Sequence, residues 1–156
     1  MKRLFFILFL VPALCLPGQD TDTLLIHFVD PFIGTQRMGH TFPGATVPFG
    51  MVQLSPDTDT IPYAVNGQYN GRVYEYCAGY QYDDLTIVGF SHTHFSGTGH
   101  SDLGDILLMP TTGELKVNPG VAARPESGYR SGFSHDHEAA EPNYYRVGLE
   151  DYGITA

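Results

Sequence analysis

LTIVGFSHTHFSGTGHSDLGDILLMP, residues 85–110, is an apolar run followed by three histidines, three glycines and two aspartates within residues 90–105, and then a second apolar run. Ten residues rich in β-branched and aromatic side chains, 85–94, read as a strand. Side chains two apart share a face in an extended chain, so Val88, Phe90, His92 and His94 are expected on one side. The imidazoles then prolong an apolar face rather than a wet one. Gly97, Gly99 and Gly104 allow sharp turning and bring backbone N–H groups close to a ligand. Residues 105–109 return as another strand.

Working outward, no stretch keeps a helical apolar period over three turns, and 18 glycines and 11 prolines punctuate the chain. Further strands are expected at 24–28, 49–54, 114–117, 129–133 and Tyr144–Leu149. Short strands separated by turn residues imply an all-β fold, an antiparallel β-sandwich. Asp151-Tyr152-Gly153 is a hairpin turn signal, and Ile154-Thr155-Ala156 reads as a new strand opening. A strand without a partner leaves an unpaired edge, so the sandwich is expected to be incomplete at its C-terminal end.

Residues 1–18 read as a signal peptide. Lys2 and Arg3 precede the apolar run 4–16, which is shorter than the roughly 20 residues that span a bilayer. Cys15 raises a lipoprotein anchor, but the residues before it are not the small ones such a site prefers, so plain export to the periplasm or outside is the preferred reading. Nothing later in the sequence is apolar enough to cross a membrane. Residues 19–156 then form one domain. Without the leader, six cations face seventeen acids, a net charge of about −11. Nucleic acid, which needs a basic surface, is excluded as a partner. One cysteine, Cys77, remains, so no internal disulfide is expected.

The histidines admit three readings: a zinc site on His92 and His94 with His100 or Asp102, hydrogen bonding at a strand end, or contact with a ligand. Asp102 and Asp105 make a poor hydrolytic pair. If extended they lie about 10 Å apart on opposite faces, whereas paired carboxylates aim at one bond from about 5–9.5 Å. Ser96 has no Gly-x-Ser-x-Gly elbow, and the glycine run has no lysine for a phosphate loop. Two other segments are shaped for something. The Pro- and Gly-stiffened loop 39–50 reads equally as a ligand wall or a buried connection. Residues 69–84, YNGRVYEYCAGYQYDD, hold five tyrosines in sixteen residues. Tyrosine offers a flat apolar face and a hydroxyl, which suits sugar rings, although each one alone fits a core or sheet edge as well.

VDPFIGT (29–35), HTFPGATVPFGMVQLSPD (40–57), CAGY (77–80), GFSHTHFSGTG (89–99), DLGDILLMP (102–110) and the segment from Phe133 to Ile154 together resemble the start of glycoside hydrolase family 92. The resemblance runs from Val29 to Ala156. It implies the N-terminal domain of an exported, inverting, calcium-dependent exo-α-mannosidase acting on N-glycans and mannans. It also implies that an (α/α)6 barrel of the same chain carries the general acid, the general base and the calcium ligands. No catalytic or metal-ligating residue is therefore expected here, and the isolated segment should be inactive. Mannose-containing glycans and that barrel are the implied partners. By position, the substrate-contacting candidates are His40, Phe42, Pro43, Tyr74, Tyr76, Cys77, Gly79, Tyr80, His92, His94, Ser96, Gly97, Thr98 and Gly99. Many members carry a tryptophan just before the Cys-x-Gly-Tyr segment, where this chain has Tyr74 and Tyr76 and no tryptophan anywhere. A freestanding carbohydrate-binding module and a zinc-dependent hydrolase on His92, His94 and His100 are the alternatives.

Overall fold

A computed structural model describes residues 25–47, 49–97 and 106–156. Among them, regular pairing is antiparallel throughout, and the helical elements are 3-10 turns of three or four residues. The strands in chain order are β1 (Ser55–Asp57), β2 (Ala64–Val65), β3 (Gln68–Tyr69), β4 (Thr86–Ile87) and β5 (Gly89–Ser91). They continue as β6 (Leu107–Leu108), β7 (Ser131–Gly132), β8 (Glu138–Glu141), β9 (Tyr144–Leu149) and β10 (Ile154–Thr155). One sheet has the order β1-β5-β6, another β10-β9-β8, and β2-β3 and β4-β7 form two-stranded ribbons. The all-β, antiparallel architecture is the one the sequence implied.

The 85–94 run behaves differently from the simple alternation expected of it. It serves two sheets in succession: Thr86 and Ile87 pair with Gly132 and Ser131, then Gly89 to Ser91 pair with β1 and β6. Between them the Val88 N–H donates to the Asp57 carbonyl at 2.8 Å. A central run covered on both faces is buried at consecutive positions, and Ile87, Val88, Phe90 and Ser91 are all buried. Regular strand ends at Ser91, so His92 and His94 do not prolong the face of Val88 and Phe90 by alternation.

Elsewhere, β9 has the bounds expected of it. Residues 26–28 form a 3-10 turn instead of strand. Residues 49–54 are not strand; pairing with β5 begins directly after them, at β1. Residues 114–117 form no strand and are exposed, and of 129–133 only Ser131–Gly132 pairs. Two elements went unexpected. Asn66 and Gly67, both with positive φ, make the tight turn between β2 and β3, which Asn-Gly favours strongly. β8 pairs with β9 from Glu138↔Val147 to Glu141↔Tyr144. β10 does find a partner, with Ile154 opposite Leu149.

The sheets meet in one apolar cluster. Tyr80, Ile87, Phe90, Phe133, Val147 and Leu149 form it, and Phe32, Met109, Tyr145, Tyr152 and Ile154 pack on it. Arg130, 2% exposed, is pinned beside it by Thr86 Oγ1, the Asp59 carboxylate and the carbonyls of Pro119 and Gly120. A buried guanidinium persists only where its donors are met in this way.

Candidate functional site

The Asn70 side chain accepts the Arg72 N–H at 3.2 Å and opens the 3-10 turn Gly71–Tyr74, the usual role of an Asn cap. That turn brings Val73, Tyr76, Cys77 and Gly79 over the end of β1 and the chain leaving β5. Together with Asp57, Asp59, Ile61, Ser91, Thr93 and His94 they line a hollow of about 160 Å³.

His94 is its fixed point. Its Nδ1 lies 2.7 Å from the Gln53 carbonyl oxygen, which can only accept, so Nδ1 carries a hydrogen. Nε2 stands 3.2 Å from Ser91 Oγ and 3.3 Å from Asp57 Oδ1. The other Asp57 oxygen takes the Ser91 N–H at 3.1 Å. Gly79 makes this closeness possible. Its φ is +79°, and a Cβ there would run into the Asp57 carboxylate and come within 2.8 Å of His94 Nε2. Phe42 leans on the His94 ring, centroids 5.2 Å apart.

The arrangement is a wall rather than a proton relay. A serine–histidine–aspartate relay needs the carboxylate on the imidazole nitrogen opposite the serine; here Asp57 and Ser91 share Nε2, and Nδ1 is spent on a carbonyl. Asp59 is held by Arg130 at 2.9 Å. Burial pushes the Cys77 thiol up, away from the reactive thiolate. Burial, then the charge and hydrogen bond of Asp84, raise Tyr76, so its hydroxyl keeps its proton and donates to Asp84 at 3.0 Å.

Of the candidates, Tyr76, Cys77, Gly79 and His94 line the hollow. His40 is buried, has φ +53°, and meets Tyr74 edge-on at 4.6 Å. Its carbonyl takes the Gly97 N–H at 2.7 Å, tying two candidate loops together. His40 Nε2 and His92 Nδ1 are buried and have no hydrogen-bond partner among the described residues. Ser96 and Gly97 are exposed. Two positions depart from expectation. Tyr80 is 1% exposed and its hydroxyl donates to Glu138 at 3.0 Å, so it stands in the core. Pro43 is fully buried in the loop beneath. Thr98 and Gly99, the zinc and acid–base candidates His100, Asp102 and Asp105, and the leader 1–18 lie outside the described residues.

Asp57, Asp59, Ser91 and Thr93 were not singled out by the sequence. Asp57 and Ser91 meet through the antiparallel β1–β5 pairing, across 34 residues of chain. Among the described residues, no three His, Cys, Asp or Glu side chains group to hold a metal ion, and His94 commits both ring nitrogens internally.

Comparison with known proteins places the chain in a family. The profile described as "Glycosyl hydrolase family 92 N-terminal domain" matches residues 28–156. A family 92 α-mannosidase from Bacteroides thetaiotaomicron, solved alone and with mannoimidazole, is 50% identical with a TM-score of 0.74, over 85% of this chain and 16% of that one. A further solved family 92 glycosyl hydrolase is 33% identical with a TM-score of 0.57, over 80% of this chain and 14% of its own. A protein of Arthroderma benhamiae described as an uncharacterized secreted glycosidase is 34% identical over 134 residues, 85% of this chain and 15% of its own length. The chain thus spans about a sixth of the relatives it matches, and over that span it belongs to glycosyl hydrolase family 92, as the family's N-terminal domain.

Proposed function

We propose that this chain is the sugar-contacting N-terminal domain of a secreted exo-α-mannosidase that hydrolyses α-mannosidic linkages of glycans with inversion. The observation that carries the reading is the 50% identity to an α-mannosidase across nearly all of the described fold. The hollow supports it in kind: a rigid polar wall of Asp57, Ser91 and His94 beside apolar Ile61 and Val73 suits a ring with hydroxyls and an apolar face.

Carboxylates elsewhere in a longer polypeptide, on an (α/α)6 barrel, would protonate the leaving oxygen and activate a water on the opposite face. This domain orients the mannoside and keeps bulk water out. The calcium implied by the family has no fitting donor set among the described residues. Export accords with the relative described as secreted, and no helix among the described residues is long and apolar enough to cross a membrane.

Fragment 19–156 is expected to release no mannose from an aryl α-mannoside. Turnover by the purified fragment would overturn the placing of the acid and base elsewhere. A freestanding carbohydrate-binding module is the second reading, favoured by the commitment of Asp57 and Asp59 to internal partners. Saturable binding of mannose oligosaccharides by the folded fragment alone would favour it.

A further inference from the structure

IPYAVNGQYN, residues 61–70, leaves the hollow as a projecting arm. It consists of β2, the Asn66-Gly67 turn and β3, and residues 62–69 are all exposed. A lone two-stranded ribbon is marginal in water, and Asn70 holds this one at its root. The Asn70 N–H donates to the Tyr63 carbonyl at 2.9 Å, and its side-chain amide donates to the Pro62 carbonyl at 3.0 Å. The side-chain oxygen of the same residue caps the turn that carries Val73. Ile61 before the arm and Val73 after it both line the hollow, so the arm stands on the rim.

The chemistry of the arm is unusual for so exposed a segment. It contains no Asp, Glu, Lys or Arg, in a chain of net charge −9, although charged side chains normally collect on exposed surface. Tyr63 is 66% exposed and Tyr69 59%, and their rings meet edge-on with centroids 5.2 Å apart. Such a pair fixes both rings while more than half of each residue stays open. Tyrosine supplies rigid amphipathic area at little entropic cost, and asparagine adaptable hydrogen bonds, which suits a neutral polar ligand. A permanent protein interface is richer in aliphatic side chains, and from 62 to 70 Val65 is the one large aliphatic residue.

The hollow is small, about 160 Å³, beside the roughly 300–1,000 Å³ of sites that enclose a whole ligand. A glycan of two or more residues therefore has to leave it across the rim. We propose that the arm is a second glycan contact, on which the sugar next to the one in the hollow stacks against the Tyr63–Tyr69 pair. The domain thereby selects chains of neutral sugars over single mannosides. This rests on the reading of the hollow as sugar-contacting.

The test uses the full-length polypeptide carrying this domain and two substrates: a mannose disaccharide that it cleaves, and α-mannosyl fluoride, whose leaving group cannot reach the arm. The readout is the ratio of kcat/KM for disaccharide over fluoride. Tyr63→Ala with Tyr69→Ala is expected to lower that ratio at least tenfold through a raised KM for the disaccharide. Tyr63→Phe with Tyr69→Phe keeps the rings and should hold the ratio within about threefold of the unaltered protein. Because both tyrosines are exposed, the alanine pair should melt within about 2 °C of the unaltered protein. An unchanged ratio would overturn the assignment, whether neither substrate is affected or both are lost together because the arm packs on another part of the polypeptide. So would a phenylalanine pair that loses as much as the alanine pair. If the unaltered protein cleaves neither substrate, the sugar reading of the hollow falls and takes the arm with it.

Discussion

Two histidine–carboxylate pairs sit in this fold with their burial reversed. In His135–Glu138 the carboxylate is 1% exposed and the imidazole 27%; in His94–Asp57 the imidazole is 3% exposed and the carboxylate 19%. Glu138 gathers three donors: His135 Nδ1 at 2.6 Å, the Tyr145 hydroxyl at 2.5 Å and the Tyr80 hydroxyl at 3.0 Å. The His135 ring lies flat on Tyr82, centroids 4.0 Å apart, and its Nε2 is tied to the Tyr82 carbonyl. That pair is a closed network joining β8 and β9 to the core. Asp57 and His94 instead face a hollow, at a looser 3.3 Å. The same two side-chain types thus staple the fold in one place and shape a surface in the other, and burial of the acid decides which.

The largest expected effect breaks the staple. Glu138→Ala leaves the buried hydroxyls of Tyr80 and Tyr145 without their acceptor, and should cost about 3–5 kcal/mol in urea unfolding. Glu138→Gln keeps an acceptor and should cost less. If alanine proves nearly neutral, the closed network is not a staple.

Gly79→Ala acts at the other pair. It puts a Cβ at positive φ against Asp57 and His94, so about 1–3 kcal/mol should be lost. His94 should shift visibly in its ring NMR signals. Unchanged His94 signals would mean that Gly79 does not set the wall.

Alkaline titration separates the regions by proton count. Burial, then the charge and hydrogen bond of Glu138, raise Tyr80 and Tyr145 well above the usual tyrosine range. The unfolded chain releases these protons near pH 10 and the folded chain does not, so stability is full below about pH 10 and falls above it. The expected slope is up to about 1.4 kcal/mol per pH unit for each tyrosine, and Tyr145→Phe should remove one share. A stability flat from pH 9 to 12 would contradict the closed network.

Asp57→Asn should move stability least, by about 1 kcal/mol or less, because the amide oxygen can still accept the Ser91 N–H. If its cost rivals that of Glu138→Ala, the two pairs do the same work and the contrast fails.

These contrasts also mark what could be read from the chain alone. β9 was legible because YYRVGL alternates between a wet and a dry face. The 85–94 run misled because both its faces are covered, so neighbouring residues are buried together and alternation carries no information. The Asn66-Gly67 hairpin had its signal in plain view. β8, EAAE, had none: its composition favours helix, and pairing with β9 overrides that. Tyr76, Cys77, Gly79 and His94 were picked out by family position, and the fold brings them to one hollow. Asp57 and Ser91 join them only once β1 lies against β5, and Tyr80, chosen by its position in the motif, donates its hydroxyl to Glu138.

The central claim is that the hollow around His94 meets the mannoside. The most direct measurement is kcat/KM on an aryl α-mannoside for the full-length polypeptide carrying this domain, with His94→Gln beside the unaltered protein and melting followed in parallel. A fall of at least tenfold with the melting temperature within about 2 °C is the predicted result. Undiminished turnover in a folded His94→Gln protein would contradict the account.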